Sequence, residues 1–61
     1  MVHREVIEVY NLIIRQIQGK IGRKVNIFYP NKSGVVAVRD YEVTERRLQR
    51  IMDRRNYLMG R

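Results

Sequence analysis

Arginine is concentrated in the last sixteen residues of this chain, and no other residue type here has clearer binding chemistry. Six of the ten arginines lie there against one acid, Asp53, so six positive charges and one negative give a net charge of +5. A guanidinium carries a planar fork of donors that matches phosphate or carboxylate oxygens. The segment therefore predicts an anionic partner, of which nucleic acid is the commonest in a cell.

Most of these arginines share one face of a predicted helix. Within about 100° on a helical wheel lie Arg46, Arg50, Asp53, Arg54, Tyr57 and Arg61. This face could follow a phosphate backbone or enter a major groove. The alternative is a solvated face on which Asp53 pairs with Arg50 or Arg54. Solvated helices usually mix both signs of charge, so the scarcity of acids favours an anionic ligand. The candidate nucleic-acid-binding residues in this segment are Arg46, Arg47, Arg50, Arg54 and Arg61.

Arg55 breaks the pattern of the opposite, apolar face of that helix. On the wheel it falls at the centre of a stripe formed by Leu48, Ile51, Met52, Leu58 and Met59. A buried, unpaired guanidinium is very costly. We therefore expect Arg55 to reach solvent, to pair with a carboxylate such as Glu5 or Glu8, or to lie in an interface with a partner.

A second basic cluster lies in a predicted β-hairpin. Its candidate binding residues are Lys24, Lys32 and Arg39. Phe28 and Tyr29 lie among them, and aromatic rings between basic residues suit single-stranded nucleic acid, whose bases stack on rings. The alternative is that both rings are core residues. Phe28 is the one phenylalanine of the chain, which favours its burial, whereas Tyr29, which precedes Pro30, is expected to be exposed.

The elements that carry these residues follow from periodicity and turn signals. Apolar residues at helical spacing predict a helix over about 2–18, followed by glycines at 19 and 22 that end it. Alternation predicts strands over about 23–29 and 35–39, joined by a turn rich in Pro, Asn and Gly, with 40–42 as a connector. Thr44 can cap a helix over about 44–59. We predict an α+β fold, a single domain ordered helix, β-hairpin, helix (α-β-β-α).

The first helix has more apolar surface than its own hairpin needs. Its apolar arc spans about 160°, against the roughly 100° stripe of a surface helix. A chain of 61 residues also has little core, and without cysteine it has no disulfide support. We therefore expect a homodimer or a larger assembly. The candidate interface residues are Ile7, Leu12, Ile14 and Arg55.

Composition also limits the class of protein. The longest apolar runs are far shorter than the roughly 20 residues of a membrane span, and no signal peptide is recognisable, so we expect a cytoplasmic protein without membrane contact. The carboxylates are scattered and His3 is the one histidine, so we expect neither an enzyme nor a metal site or cofactor.

We expect a small basic regulator or architectural protein that binds DNA or RNA. The alternative is a protein-interaction module, such as a small inhibitor or adaptor of the kind viruses and mobile elements encode, that binds an acidic surface of a host protein.

Overall fold

The computed structural model describes residues 4–60 and shows the predicted order of helix, hairpin and helix. The predicted α+β (α-β-β-α) fold is confirmed. Val2, His3 and Arg61 lie outside the described residues. Over residues 4–60, no helix combines the length and apolar character needed to cross a membrane. The elements are α1 (Arg4–Ile17), β1 (Lys24–Asn31), β2 (Gly34–Glu42) and α2 (Glu45–Met59).

The hairpin turns over two residues, 32 and 33. Asn31 pairs with Gly34 in the antiparallel register, and the Asn31 side-chain oxygen accepts a hydrogen bond from the Ser33 N–H at 2.8 Å. Gly34 has a φ of 123°, which a residue without a Cβ adopts at no steric cost. The local turn chemistry therefore sets the register of the whole hairpin.

β2 is longer than the sequence predicted. Residues 40–42, expected to be a connector, continue the strand after a bulge in which Arg39 and Asp40 stand opposite the single residue Asn26. Asp40 has a φ of 55°, and its N–H donates to the Asn26 side-chain oxygen at 3.1 Å. The prediction of a connector was wrong. The break in the alternating pattern marks a bulge inside the strand, and β2 pairs with β1 again from Tyr41.

The two edges of the hairpin differ. The N–H of Phe28 donates to Gln16 Oε1 at 2.9 Å, and its carbonyl accepts from Gln16 Nε2 at 2.6 Å. Both groups of Phe28 therefore point away from β2, which makes Phe28–Ala37 a non-hydrogen-bonded pair. The N–H and C=O of Ala37 must then point outward from the other edge. In residues 4–60 the sheet has two strands, so α1 covers the β1 edge and no strand pairs with the β2 edge.

The core is small. Two buried side chains come from α1, Ile14 and Ile17. The others are Ile27 of β1 and Val43, which lies in the connection between β2 and α2. Half-buried side chains from every element pack against Ile17, Ile27 and Val43, including Ile13, Val25, Val38 and Leu48. The Cα atoms extend 35 × 26 × 12 Å, so the described part of the chain is flat, and few side chains are enclosed on all sides.

Strand alternation is confirmed, but the burial of Phe28 was predicted wrongly. Val25, Ile27 and Tyr29 share the face toward the core, with Ile27 buried and the other two half-buried. Phe28 falls on the opposite face and is 49% exposed. The prediction gave weight to the rarity of phenylalanine in this chain, whereas the period-2 geometry of the strand decides which side chain faces the helices.

Candidate nucleic-acid interface

The orientation of α2 is set at its first turn. Thr44, in an extended conformation, caps the helix by accepting a hydrogen bond from the Arg47 N–H at its Oγ1, 3.1 Å away. Leu48 and Ile51 then pack against the core formed by Ile17, Ile27 and Val43. Because this apolar face is directed inward, the opposite face of α2 is directed to solvent.

The solvent face of α2 carries three arginines one turn apart. Arg46, Arg50 and Arg54 are exposed, and none of their guanidinium groups has a hydrogen bond or ion pair within residues 4–60. Four residues of helix rise about 6 Å, so the three Cα atoms span about 12 Å. We call these three side chains the arginine face. Arg61, predicted to extend it, lies outside the described residues.

Asp53 does not neutralise the arginine face in the way the alternative interpretation required. Its carboxylate accepts a hydrogen bond from Gln49 Nε2 at 2.9 Å. It forms no ion pair with Arg50 or Arg54 in the described part of the chain. The arginine face therefore keeps its guanidinium donors available to an external anion.

An exposed aromatic ring accompanies this face. Tyr57 is 68% exposed and lines a shallow depression of about 460 Å³ together with Arg50, Asp53 and Arg54. These four residues occupy two successive turns of one side of the helix. The depression thus combines one aromatic ring, that of Tyr57, with the guanidinium groups of Arg50 and Arg54.

Arg47 is held against the fold. Its Nη1 donates to the Glu42 carbonyl at 2.9 Å, and its guanidinium lies 5.1 Å from the centre of the Tyr41 ring. This is within the distance of a cation–π contact. Arg47 was proposed from sequence as a binding residue, and the structure places it in the first turn of α2 with its guanidinium held by two residues of β2.

Arg55 links the two helices. Its Nη1 donates to Asn11 Oδ1 at 3.0 Å, while Nε and Nη2 donate to Asn56 Oδ1 at 3.2 and 3.1 Å. The partners are amide oxygens rather than the carboxylates of Glu5 or Glu8. Sequence reasoning missed Asn11; the available signal was that this polar residue borders the apolar stripe of α1.

The basic residues of the hairpin are exposed but dispersed. Lys24 and Lys32 bound β1 at its two ends, about 26 Å apart at the usual rise of a strand. Arg39 lies in the bulge of β2. The structure therefore brings together the arginines of α2 and does not bring the hairpin residues into one cluster.

The candidate interface residues differ in exposure. Ile14 is 4% exposed and belongs to the core of the single chain, and Ile7 is half-buried. Leu12 is 36% exposed. It lines a groove of about 700 Å³ between α1 and the hairpin turn, which also contains Val6, Pro30 and Lys32.

The described residues contain no group of three or more His, Cys, Asp or Glu side chains placed to hold a metal ion. The chain shows no significant similarity to a protein family, a curated protein or a solved structure.

Proposed function

We propose that this protein binds nucleic acid through the arginine face of α2, as a small regulatory or architectural protein. The observation that carries the proposal is that three exposed guanidinium groups at one-turn spacing, those of Arg46, Arg50 and Arg54, have no partner within residues 4–60. Unpaired arginines along one helix suit a polyanion with regularly spaced charges. The net charge of +7 adds attraction at long range.

The proposal includes no catalytic step and no cofactor. The arginine face supplies donors and positive charge, which position a phosphate backbone without changing it chemically. A nucleic-acid partner is consistent with the cytoplasmic location expected from the sequence.

The test compares two triple substitutions that remove equal charge. Changing Arg46, Arg50 and Arg54 to Ala lowers the net charge from +7 to +4, as does changing Lys24, Lys32 and Arg39. Affinity for DNA and RNA oligonucleotides is measured over a salt series. The α2 triple should reduce the salt slope by about one unit for each lost phosphate contact, and the hairpin triple should reduce it less. If both triple substitutions reduce the salt slope equally, binding depends on net charge and not on the arginine face. If the wild type does not bind DNA or RNA at low salt, nucleic acid is excluded as the partner.

One alternative is binding to an acidic surface of another protein, with the groove beside α1 as a second contact. The exposed apolar side chains of Val6 and Leu12 suit a partly apolar partner. The groove carries both signs of charge, Arg15 and Lys32 against Glu5 and Glu8. Such binding would depend on salt weakly compared with counterion release from nucleic acid. Three results together would support this alternative. A protein partner would bind the wild type at high salt, would fail to bind the Leu12→Asp variant, and would still bind the variant that lacks the three arginines.

We also propose that the protein forms a homodimer through the open edge of β2. A two-stranded sheet is marginal by itself. Here Gln16 covers one edge, while no strand of the described part of the chain lies beside the outward N–H and C=O of Ala37. Antiparallel pairing of two β2 strands would join the hairpins into a four-stranded sheet. The outer sheet face beside this edge holds the exposed Phe28 and Val35, which would add apolar contact.

A further inference from the structure

The ring of Tyr57 and the guanidinium groups beside it suggest which form of nucleic acid the arginine face accepts. Tyr57 is the most exposed aromatic side chain in residues 4–60, since Tyr10, Tyr29 and Tyr41 are half-buried and Phe28 is 49% exposed. A tyrosine ring carries a large apolar surface, which is usually at least half covered in a folded protein. Tyr57, at 68% exposed, leaves most of this surface open to solvent.

Resting on the nucleic-acid function proposed above, we propose that Tyr57, Arg50 and Arg54 form a site for one unpaired nucleotide of a single strand. The base would stack on the Tyr57 ring, and the two guanidinium groups would donate to the phosphates on either side of it. Stacking on an exposed ring and donation from arginine are the two interactions by which single strands are held without sequence preference.

A duplex would not use this site in the same way. Its bases are paired and stacked on one another, so the face of a base cannot reach Tyr57 unless the nucleotide is extruded at an energetic cost. The arginines alone would contact duplex phosphates equally well. Discrimination between the two forms therefore depends on Tyr57, and salt dependence depends on Arg50 and Arg54.

Asp53 lies in the same depression and accepts a hydrogen bond from the neutral amide of Gln49. Its negative charge remains, but the two guanidinium groups of Arg50 and Arg54 outnumber it. The guanidinium groups of Arg50 and Arg54 have no partner among residues 4–60. A phosphate can therefore approach either arginine without first displacing an ion pair.

The test measures binding of a labelled single-stranded oligonucleotide of about twelve nucleotides, within the usual site sizes of single-strand binders, and of its duplex. Tyr57→Ala should weaken single-strand binding about 5- to 150-fold, leave the salt slope unchanged and affect the duplex little. Tyr57→Phe should retain single-strand affinity because the ring remains. Met59→Ala, at another exposed position of α2, is the matched control and should change neither affinity.

Tyrosine emission gives an independent readout, because the chain has four tyrosines and no tryptophan. Stacking should quench the emission when unlabelled single strand is added, and Tyr57→Phe should abolish this quenching while binding persists. Equal losses for duplex and single strand on Tyr57→Ala, or no loss for either, would overturn the proposed site. In those cases an arginine-dependent salt slope would still support nucleic-acid binding, so the two proposals fail separately.

Discussion

Arg55 and Asn11, 44 residues apart in sequence, join α2 to α1 by a hydrogen bond of 3.0 Å in a half-buried position. A guanidinium in the middle of an apolar stripe is thus satisfied by two amide oxygens, those of Asn11 and Asn56. Because such a bond needs one relative placement of the helices, it specifies their alignment in a way that apolar contacts do not.

Arg55→Ala should destabilise the fold. It removes the donors to Asn11 and Asn56, and hydrogen bonds that involve a charged group contribute about 1.5–3 kcal/mol each when well buried. For this half-buried group we expect a loss of about 1–2 kcal/mol in the free energy of unfolding. Urea unfolding at fixed protein concentration measures it. The control, Arg54→Ala, removes an exposed arginine and should change stability by less than about 0.5 kcal/mol.

A double-mutant cycle of Asn11→Ala and Arg55→Ala separates the direct bond from other effects. Residues in contact should show a coupling free energy of about 0.5 kcal/mol or more. Strictly additive effects, or equal stability of the Arg54 and Arg55 variants, would contradict the role assigned to this bond.

Gln16 should protect the β1 edge. Its side chain replaces a neighbouring strand by bonding both backbone groups of Phe28. These bonds are exposed, so Gln16→Ala should lower stability by about 0.5–1.5 kcal/mol for each bond lost. Hydrogen exchange of the Phe28 amide should become faster. Gln18→Ala is the matched control, an exposed glutamine just beyond the same helix. Unchanged exchange at Phe28 in the Gln16 variant would argue against the contact.

Thr44 should matter through its hydroxyl oxygen. Thr44→Ala removes the acceptor for the Arg47 N–H and should lower stability by about 1 kcal/mol. Thr44→Ser keeps the acceptor and should behave like wild type. Thermal unfolding distinguishes the two, since about 1 kcal/mol corresponds to a shift of about 4–8 °C in Tm for a small domain. Matching losses in both variants would mean that the Thr44 methyl group, not the cap, contributes the stability.

Local signals in the sequence were enough to predict the order of the elements and the exposure of the arginine face of α2. The 3.6-residue period located both helices, and the sequence around Gly34 located the turn. The bulge at Asp40 was missed because the break in alternation there resembles the end of a strand. The bonds of Gln16 to Phe28 and of Arg55 to Asn11 depend on how separate elements pack, which no local pattern encodes.

The structure also changes the choice of variant for testing self-association. Ile14→Asp would place a charge among buried side chains of the single chain, so it would test folding rather than assembly. A better variant disturbs the open edge of β2 and spares the hairpin. Since Phe28–Ala37 is a non-hydrogen-bonded pair, the Ala37 N–H makes no bond to β1. Pro30 already occupies an equivalent position on β1, opposite Val35.

Ala37→Pro should therefore convert a dimer into a folded monomer. Proline removes the outward N–H that a second β2 strand would use as a donor, without loss of a bond inside the hairpin. Sedimentation of wild type at micromolar concentration should give at least twice the 7.4 kDa chain mass, and the variant should sediment as one chain with unchanged far-ultraviolet circular dichroism. Val36→Pro, which removes an intrachain bond, should instead unfold the hairpin. A monomeric wild type would refute self-association, and a dimeric, folded Ala37→Pro variant would move the interface from the β2 edge to the groove beside Leu12.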